Sequence, residues 1–229
     1  MAVVRRLDPL EFYAASDEEL PGYEPETTPA YEYEIYRVPP LHTYSLRQGD
    51  HRVMTWLPRG PSQLPSYKVV SNRSIRLFSK KPDMELSHAS GDSVSAIRFD
   101  NDGPLPWRPR AHFSHVESRG TSTHGMESRN FTDWTVRIGE ATFVWQFEGK
   151  PVSLALSEKG ASLVIARFTY VRGTLATAGT DVGEMAIYPH GISMNVQGIE
   201  KIIASVMVPV AHFKKMGRYY RNESSVGMV

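Results

Sequence analysis

From Leu41 onward, short runs of β-branched and aromatic residues recur, with turn-forming residues between them. Thr43–Leu46 and Arg52–Leu57 flank Gln48, Gly49 and Asp50, a hairpin pattern. Tyr67–Ser71 and Ile75–Ser79 flank Asn72, Arg73 and Ser74, and Glu85–His88 and Val94–Phe99 flank Ser90, Gly91 and Asp92. Further runs follow at His112–Glu117, Trp134–Ile138, Ala141–Phe147, Val152–Ser157, Ser162–Val171 and Gly183–Tyr188. The pattern predicts about twelve strands at spacings of roughly 8–12 residues, which is the signature of an all-β sandwich or barrel. Alternation fixes the faces in places. Trp134, Val136 and Ile138 share one side of their run, with Thr135 and Arg137 on the other. Ser118–Asn130 and Arg172–Val182 are rich in small and polar residues and are expected to be loops.

One segment departs from this period. Gly198–Tyr220 opens on Glu200 and Lys201 and closes on Lys214, Lys215 and Arg218, an order that suits a helix dipole. Between Ile202 and Phe213 only Ser205 and His212 are polar. A helix that is apolar on all sides must be buried on all sides. Twelve residues span about 18 Å, too short for the ~30 Å of a bilayer core. Pro209 removes one backbone hydrogen bond and is expected to kink the helix near Ser205. A buried strand over Ile202–Val208 competes on β-propensity, while length and flanking charge favour the helix. The economical home for such a helix is the interior of a barrel. The expected fold is therefore mainly β: a closed antiparallel barrel of about twelve strands around a buried hydrophobic C-terminal helix, residues ~198–216.

The first 36 residues differ from the rest. Glu, Pro and Tyr dominate, no helical period runs through them, and prolines interrupt any strand. From Asp8 to Glu34 there are nine acidic residues and no Lys or Arg. Such a segment is expected to be a disordered arm, with residues 37–220 as the barrel domain and 221–229 as a flexible end. From Tyr36 on, 24 Lys+Arg stand against 16 Asp+Glu. The formal charge of +1 therefore hides an acidic arm and a basic domain, and the arm is expected to shield the domain's cations. The chain has no cysteine, which excludes disulfides, thiol catalysis and Cys-based metal sites. Met1–Leu10 lacks an apolar signal core, no lipidation motif is present and no transmembrane segment is expected, so the sequons at Asn72, Asn130 and Asn222 are taken as chance matches. The expected location is the cytoplasm, peripheral to a membrane where lipid is bound.

A barrel closed around a hydrophobic C-terminal helix resembles the tubby C-terminal fold, shared with phospholipid scramblases and the LURP-one-related proteins. Ser71–Ser79, Pro104–His112, Trp134–Trp145 and Ile199–Lys214 look like a fungal branch of that superfamily whose functions are largely unknown. The resemblance covers residues ~41–219. It implies a cytosolic, non-enzymatic, lipid-associated or adaptor module. Tubby proteins bind phosphoinositides through a basic strand-and-loop patch, and no residue of that patch can be matched one by one here. The calcium site and palmitoylated cysteines of scramblases have no counterpart.

Candidate chemistry is concentrated in cations. Lys68, Arg73, Arg76, Lys80 and Lys81 lie within fourteen residues. On an Ile75–Ser79 strand Arg76, Phe78 and Lys80 would project to one face. Guanidinium groups bind phosphate in bidentate fashion and ammonium groups add point charge, so an anionic phospholipid head group, a phosphoinositide in particular, is the expected ligand. A solvated sheet face gives the same pattern. Trp107, Arg108 and Arg110, in a proline-stiffened segment, suit a membrane-contact loop, or a Trp that covers the barrel mouth. The acidic arm is a candidate docking segment for a protein partner, although it lacks a second proline beside Leu20, Pro21, Gly22 and Tyr23. His112 and His115 would face opposite sides of one strand, so with His124 they make no metal site, and His212 is expected to be a hydrogen-bonded core or mouth residue. Asp100 and Asp102 suit a turn better than an acid–base pair. No nucleophile elbow, phosphate loop or dinucleotide fingerprint occurs, so no catalytic residue and no cofactor is expected, and nothing marks a nucleic-acid binder. The rival readings are an interaction protein without lipid specificity, and a small-ligand barrel, which requires an open interior.

Overall fold

The computed structural model describes residues 38–60, 64–72, 81–100, 109–171 and 179–216, all within one unit, Val38–Val229. Twelve strands form a closed antiparallel barrel. They are β1 (His42–Gln48), β2 (Val53–Arg59), β3 (Tyr67–Ser71), β4 (Met84–His88), β5 (Ser93–Asp100) and β6 (Arg110–Glu117), then β7 (Gly120–Glu127), β8 (Trp134–Ile138), β9 (Ala141–Gly149), β10 (Val152–Glu158), β11 (Val164–Tyr170) and β12 (Asp181–Ile187). Each strand pairs with its neighbours in sequence, and β1 closes the ring by pairing with both β2 and β12, His42 lying opposite Ile187. Closure removes every free edge.

Inside the ring runs one helix, α1 (Val196–Lys215), entered from β12 through a short 3-10 turn, Gly191–Met194. Asn195 caps it, its Oδ1 accepting from the Gly198 N–H at 2.7 Å. Ile202, Ile203, Ala204, Val206, Met207 and Val208 have no exposed surface, on whichever side of the helix they stand. Their partners are the inward residues of the wall, among them Leu46, Trp56, Ile97, Phe113, Trp134, Trp145, Leu156 and Phe168. The interior is thus a packed core and not a lumen. Trp145 Nε1 donates to Ser205 Oγ at 2.9 Å, and Ser205 donates to the Ile202 carbonyl at 2.9 Å. The only polar side chain midway along the buried stretch is therefore satisfied from both sides. Pro209 lies inside α1 and the helix continues through it to Lys215.

Because the strands alternate in direction, the barrel has two distinct ends. The chain enters α1 at the end where β12 finishes, here the entry end, and α1 finishes at the opposite, exit end. Odd-numbered strands run from entry to exit. Turns are tight where the sequence permits. Gly139 and Glu140 alone join β8 to β9, Ile138 pairing with Ala141, and the Gly139 φ of 63° is one that a residue with a Cβ rarely adopts.

Three expectations change. The segment Ser118–Asn130 is not a loop: Gly120–Glu127 is β7, which pairs along its whole length with β6. Its inward positions include Ser122 and His124 besides Met126, so its period is carried by polar residues that the hydrophobic pattern misses. Tyr67–Ser71 does not form a hairpin with an adjacent 75–79 strand. Its two ladders go to β2 and β4, while residues 75–79 lie outside the described residues. Asp100 is the last residue of β5, opposite Arg110, and receives His112 Nδ1 at 3.0 Å, so it is not a turn residue.

Candidate functional site

The exit end gathers the end of β1, the end of β3, the start of β4, the end of β5 and the last turn of α1. Lys214 Nζ reaches Gln48 Oε1 at the end of β1, 3.3 Å away. Lys215 Nζ sits 5.7 Å from the centroid of the Phe99 ring near the end of β5. Phe99 N–H donates to Asp83 Oδ2 at 2.8 Å. Asp83 also accepts, through its carbonyl, from Asn72 N–H at 2.8 Å, while Asn72 Nδ2 donates to the Pro82 carbonyl. The Ser71 N–H donates to the Arg52 carbonyl at 2.7 Å. These contacts pin the two feet of the 72–83 segment beside the helix terminus. Arg52, Lys81, Lys214 and Lys215 are all exposed there.

Of the cations expected to act together, Arg73, Arg76 and Lys80 lie outside the described residues, as do Trp107 and Arg108. Lys68 and Lys81 are described and belong to different regions. Lys68 projects from the outer wall opposite Ser87, three residues back from the exit foot of β3, or about 10 Å at the strand rise. Lys81 stands at the exit end itself, just before β4. Arg110 is exposed on β6, with Asp100 and Glu127 directly opposite on the two neighbouring strands, which offset its charge. Lys214 and Lys215 are the additions that sequence reading missed. They read as ordinary helix-end lysines until the barrel closes around them.

Connectivity shows where the domain's charge lies. The segments that join strands at the exit end are 49–52, 72–83, 101–109, 128–133, 150–151 and 171–180. The described residues of these segments, with Lys214 and Lys215 at the helix end, contain 6 Lys+Arg (Arg52, Lys81, Arg129, Lys150, Lys214 and Lys215) and 3 Asp+Glu (Asp50, Asp83 and Asp133). The segments that join elements at the entry end, 60–66, 89–92, 118–119, 139–140, 159–163 and 188–195, contain 2 of each. Among the described residues, the connections at the exit end therefore carry a basic excess and those at the entry end carry none.

The entry end carries a different arrangement. Glu200, in the first turns of α1, is buried. His88 Nε2 faces its Oε1 at 3.4 Å and His115 Nε2 faces its Oε2 at 3.5 Å. His115 Nδ1 meets Ser95 Oγ at 3.1 Å. Next to them Lys201 Nζ bonds Glu117 Oε1 at 2.7 Å, Ser122 donates to the same carboxyl oxygen, and His124 Nε2 lies 3.0 Å from Ser122 Oγ. The tyrosines Tyr44 and Tyr67, both buried, line the inner side. Burial raises the proton affinity of Glu200, against a smaller opposing effect of His88. Burial, with the Lys201 charge behind it, pulls His115 down to about 4. Burial likewise pushes the Tyr44 hydroxyl up to about 12. The Lys201 bond holds Glu117 down to about 2.

The hydroxyl–imidazole–carboxylate order of Ser95, His115 and Glu200 has the outline of a nucleophile relay. Ser95 is 1% exposed, however, so no substrate reaches its hydroxyl in this conformation. The two imidazoles approach different carboxylate oxygens, and among the described residues no group of three His, Cys, Asp or Glu side chains could hold a metal ion. His112 faces outward to Asp100 while His115 is buried inside, the opposite facing that strand geometry requires. His212 stands edge-on to the Trp134 ring, 5.1 Å between centroids, near the exit end.

No protein-family model, no curated protein and no solved structure matches the chain.

Proposed function

We propose that the chain is a non-enzymatic, tubby-like docking module that presents the exit end of its barrel to an anionic phospholipid surface, with phosphoinositide as the favoured head group. The observation that carries this reading is the charge asymmetry between the ends among the described connecting residues, 6 Lys+Arg against 3 Asp+Glu at one and 2 against 2 at the other. α1 fills the interior, so the open lumen that a small-ligand barrel needs is occupied by Ile202–Phe213. Recognition then falls to the outside and the ends. A flat anionic surface would meet the exposed Arg52, Lys81, Lys214 and Lys215 together, each contributing about 1 kcal/mol. Arg73, Arg76 and Lys80 supply cations in the 72–83 segment, and Lys81, Lys214 and Lys215 stand at its feet. On this reading the protein is cytoplasmic and peripheral to a membrane.

Co-sedimentation with vesicles tests the proposal, using phosphatidylcholine alone, with phosphatidylserine, and with a phosphoinositide. Binding is expected only with anionic lipid, weakening as salt is added. The pair Lys214→Ala with Lys215→Ala should lose about 2 kcal/mol, roughly 30-fold in affinity. Arg76→Ala with Lys80→Ala should lose a similar amount. Equal sedimentation with neutral and anionic vesicles, or none with either, overturns lipid docking. Equal competition by any soluble polyanion would favour an interaction protein without lipid specificity.

A further inference from the structure

The polar mouth at the entry end has no part in the docking proposed above. We propose that it is an acid-sensitive latch, in which His115 is the group that senses the proton and the first turns of α1 are the element released. His115 stands on β6 with Ser95 of β5 on one ring nitrogen and Glu200 of α1 facing the other. It has no exposed surface, and on the helix side Glu200 faces it, with the Lys201 charge close by. The titratable and charged groups around Glu200 and His115 come from every element packed there. They are Tyr44 on β1, Tyr67 on β3, His88 on β4, Glu117 on β6, His124 on β7, and Lys201 beside Glu200 on α1.

In the closed mouth an imidazolium at position 115 has lost its hydration and stands near the Lys201 ammonium, with Glu117 and Glu200 only partly offsetting it. Once the first turns of α1 lift, the same ring is in water and binds a proton at its ordinary affinity. Acid therefore favours the open mouth, because the open form binds more protons at His115. Glu200 acts in the opposite sense. Its proton affinity is higher when buried, so protonating it costs the closed form nothing, and it then ceases to be a counter-charge for His115. His115 sets the sense of the latch, because it is enclosed on every side in the closed mouth and the Lys201 charge beside it opposes a second cation there.

The release is local because of what lies on each side. Within Val196 to Lys201 one apolar side chain, Ile199, enters the core, and the remaining hold on the wall is polar, chiefly Lys201 to Glu117. From Ile202 on, the helix is held by apolar burial, which acid does not alter. The 3-10 turn and the Asn195 cap lie just upstream, where the chain can hinge.

Hydrogen exchange on the full chain, read by mass spectrometry at pH 7 and pH 5 and corrected for intrinsic rates, tests the latch. The opening equilibrium of peptides covering 196–204 should rise by up to roughly 20-fold at the lower pH, while peptides covering 205–213 stay protected. In His115→Gln the rise should vanish. A rise that persists in that variant, or one that is uniform along α1, overturns the proposal. Should His115→Gln fail to fold, NMR titration of the His115 ring in the unaltered protein decides. A midpoint well below 6.5 supports the latch and a midpoint at or above 6.5 refutes it.

Discussion

Replacing Ser205 with alanine removes a single oxygen from the centre of the barrel, and the geometry sets its cost. Trp145 Nε1 is fully buried on β9 and its acceptor is Ser205 Oγ, sixty residues later in the chain. In Ser205→Ala the indole N–H remains buried without an acceptor, a desolvation loss of about 1–3 kcal/mol. The Ile202 carbonyl loses only the accessory bond from Ser205, so it adds little. For a domain of this size each kcal/mol lowers Tm by about 2–4 °C, and a fall of roughly 2–12 °C is expected. Trp145→Phe also destabilises, through lost volume, by about 2–4 kcal/mol. With the indole N–H gone there is no donor left to orphan, so adding Ser205→Ala to Trp145→Phe should cost much less than Ser205→Ala alone. Urea denaturation of the four proteins, followed by circular dichroism, gives the coupling energy, expected at about 1 kcal/mol or more. Additivity within about 0.3 kcal/mol would show that the two side chains are not partners, and the placement of α1 against that wall would be wrong.

Two other outcomes follow from the entry end. A Cβ at Gly198 would lie 1.6 Å from the Ile192 carbonyl oxygen, a backbone atom that cannot step aside. Gly198→Ala should therefore cost about 3 kcal/mol or more, and an alanine variant with an unchanged urea midpoint would refute the tight approach of the 3-10 turn to α1. Glu117 has its proton affinity lowered in the folded state, so the stability it contributes is present above the ordinary value of 4.5 and is lost as pH falls toward about 2. Glu117→Gln should flatten the acid limb of the stability–pH curve, and an unaltered limb would remove Lys201–Glu117 from the account.

The parts of the fold that were legible in the sequence are those where burial is apolar. Trp134, Val136 and Ile138 announce an inward face, and Ile202–Phe213 announces a helix with nowhere to go but inside. Gly120–Glu127 was illegible because its inward positions include Ser122 and His124, which belong to the polar mouth. The mouth itself was illegible for a different reason. His88, His115 and Glu200 are brought together only by the pairing of β4 and β6 with β5 and by the return of the chain as α1. No spacing along the chain encodes that meeting. The exit end lies between these cases. Its cations are plain in the sequence, but strand direction is what separates Lys68 from Lys81 and brings Lys214 and Lys215 to Gln48 and Phe99.

The claim that one end of the barrel meets the membrane can be measured directly, because the chain has no cysteine and a single introduced thiol is the only label site. Lys150→Cys marks the β9–β10 turn at the exit end and Glu140→Cys marks the β8–β9 turn at the entry end. Each would carry an environment-sensitive fluorophore and be mixed with phosphoinositide vesicles containing a head-group quencher. Quenching and a blue shift at position 150, with none at position 140, are what the account predicts. Equal quenching at both positions, or quenching at position 140 alone, would contradict it.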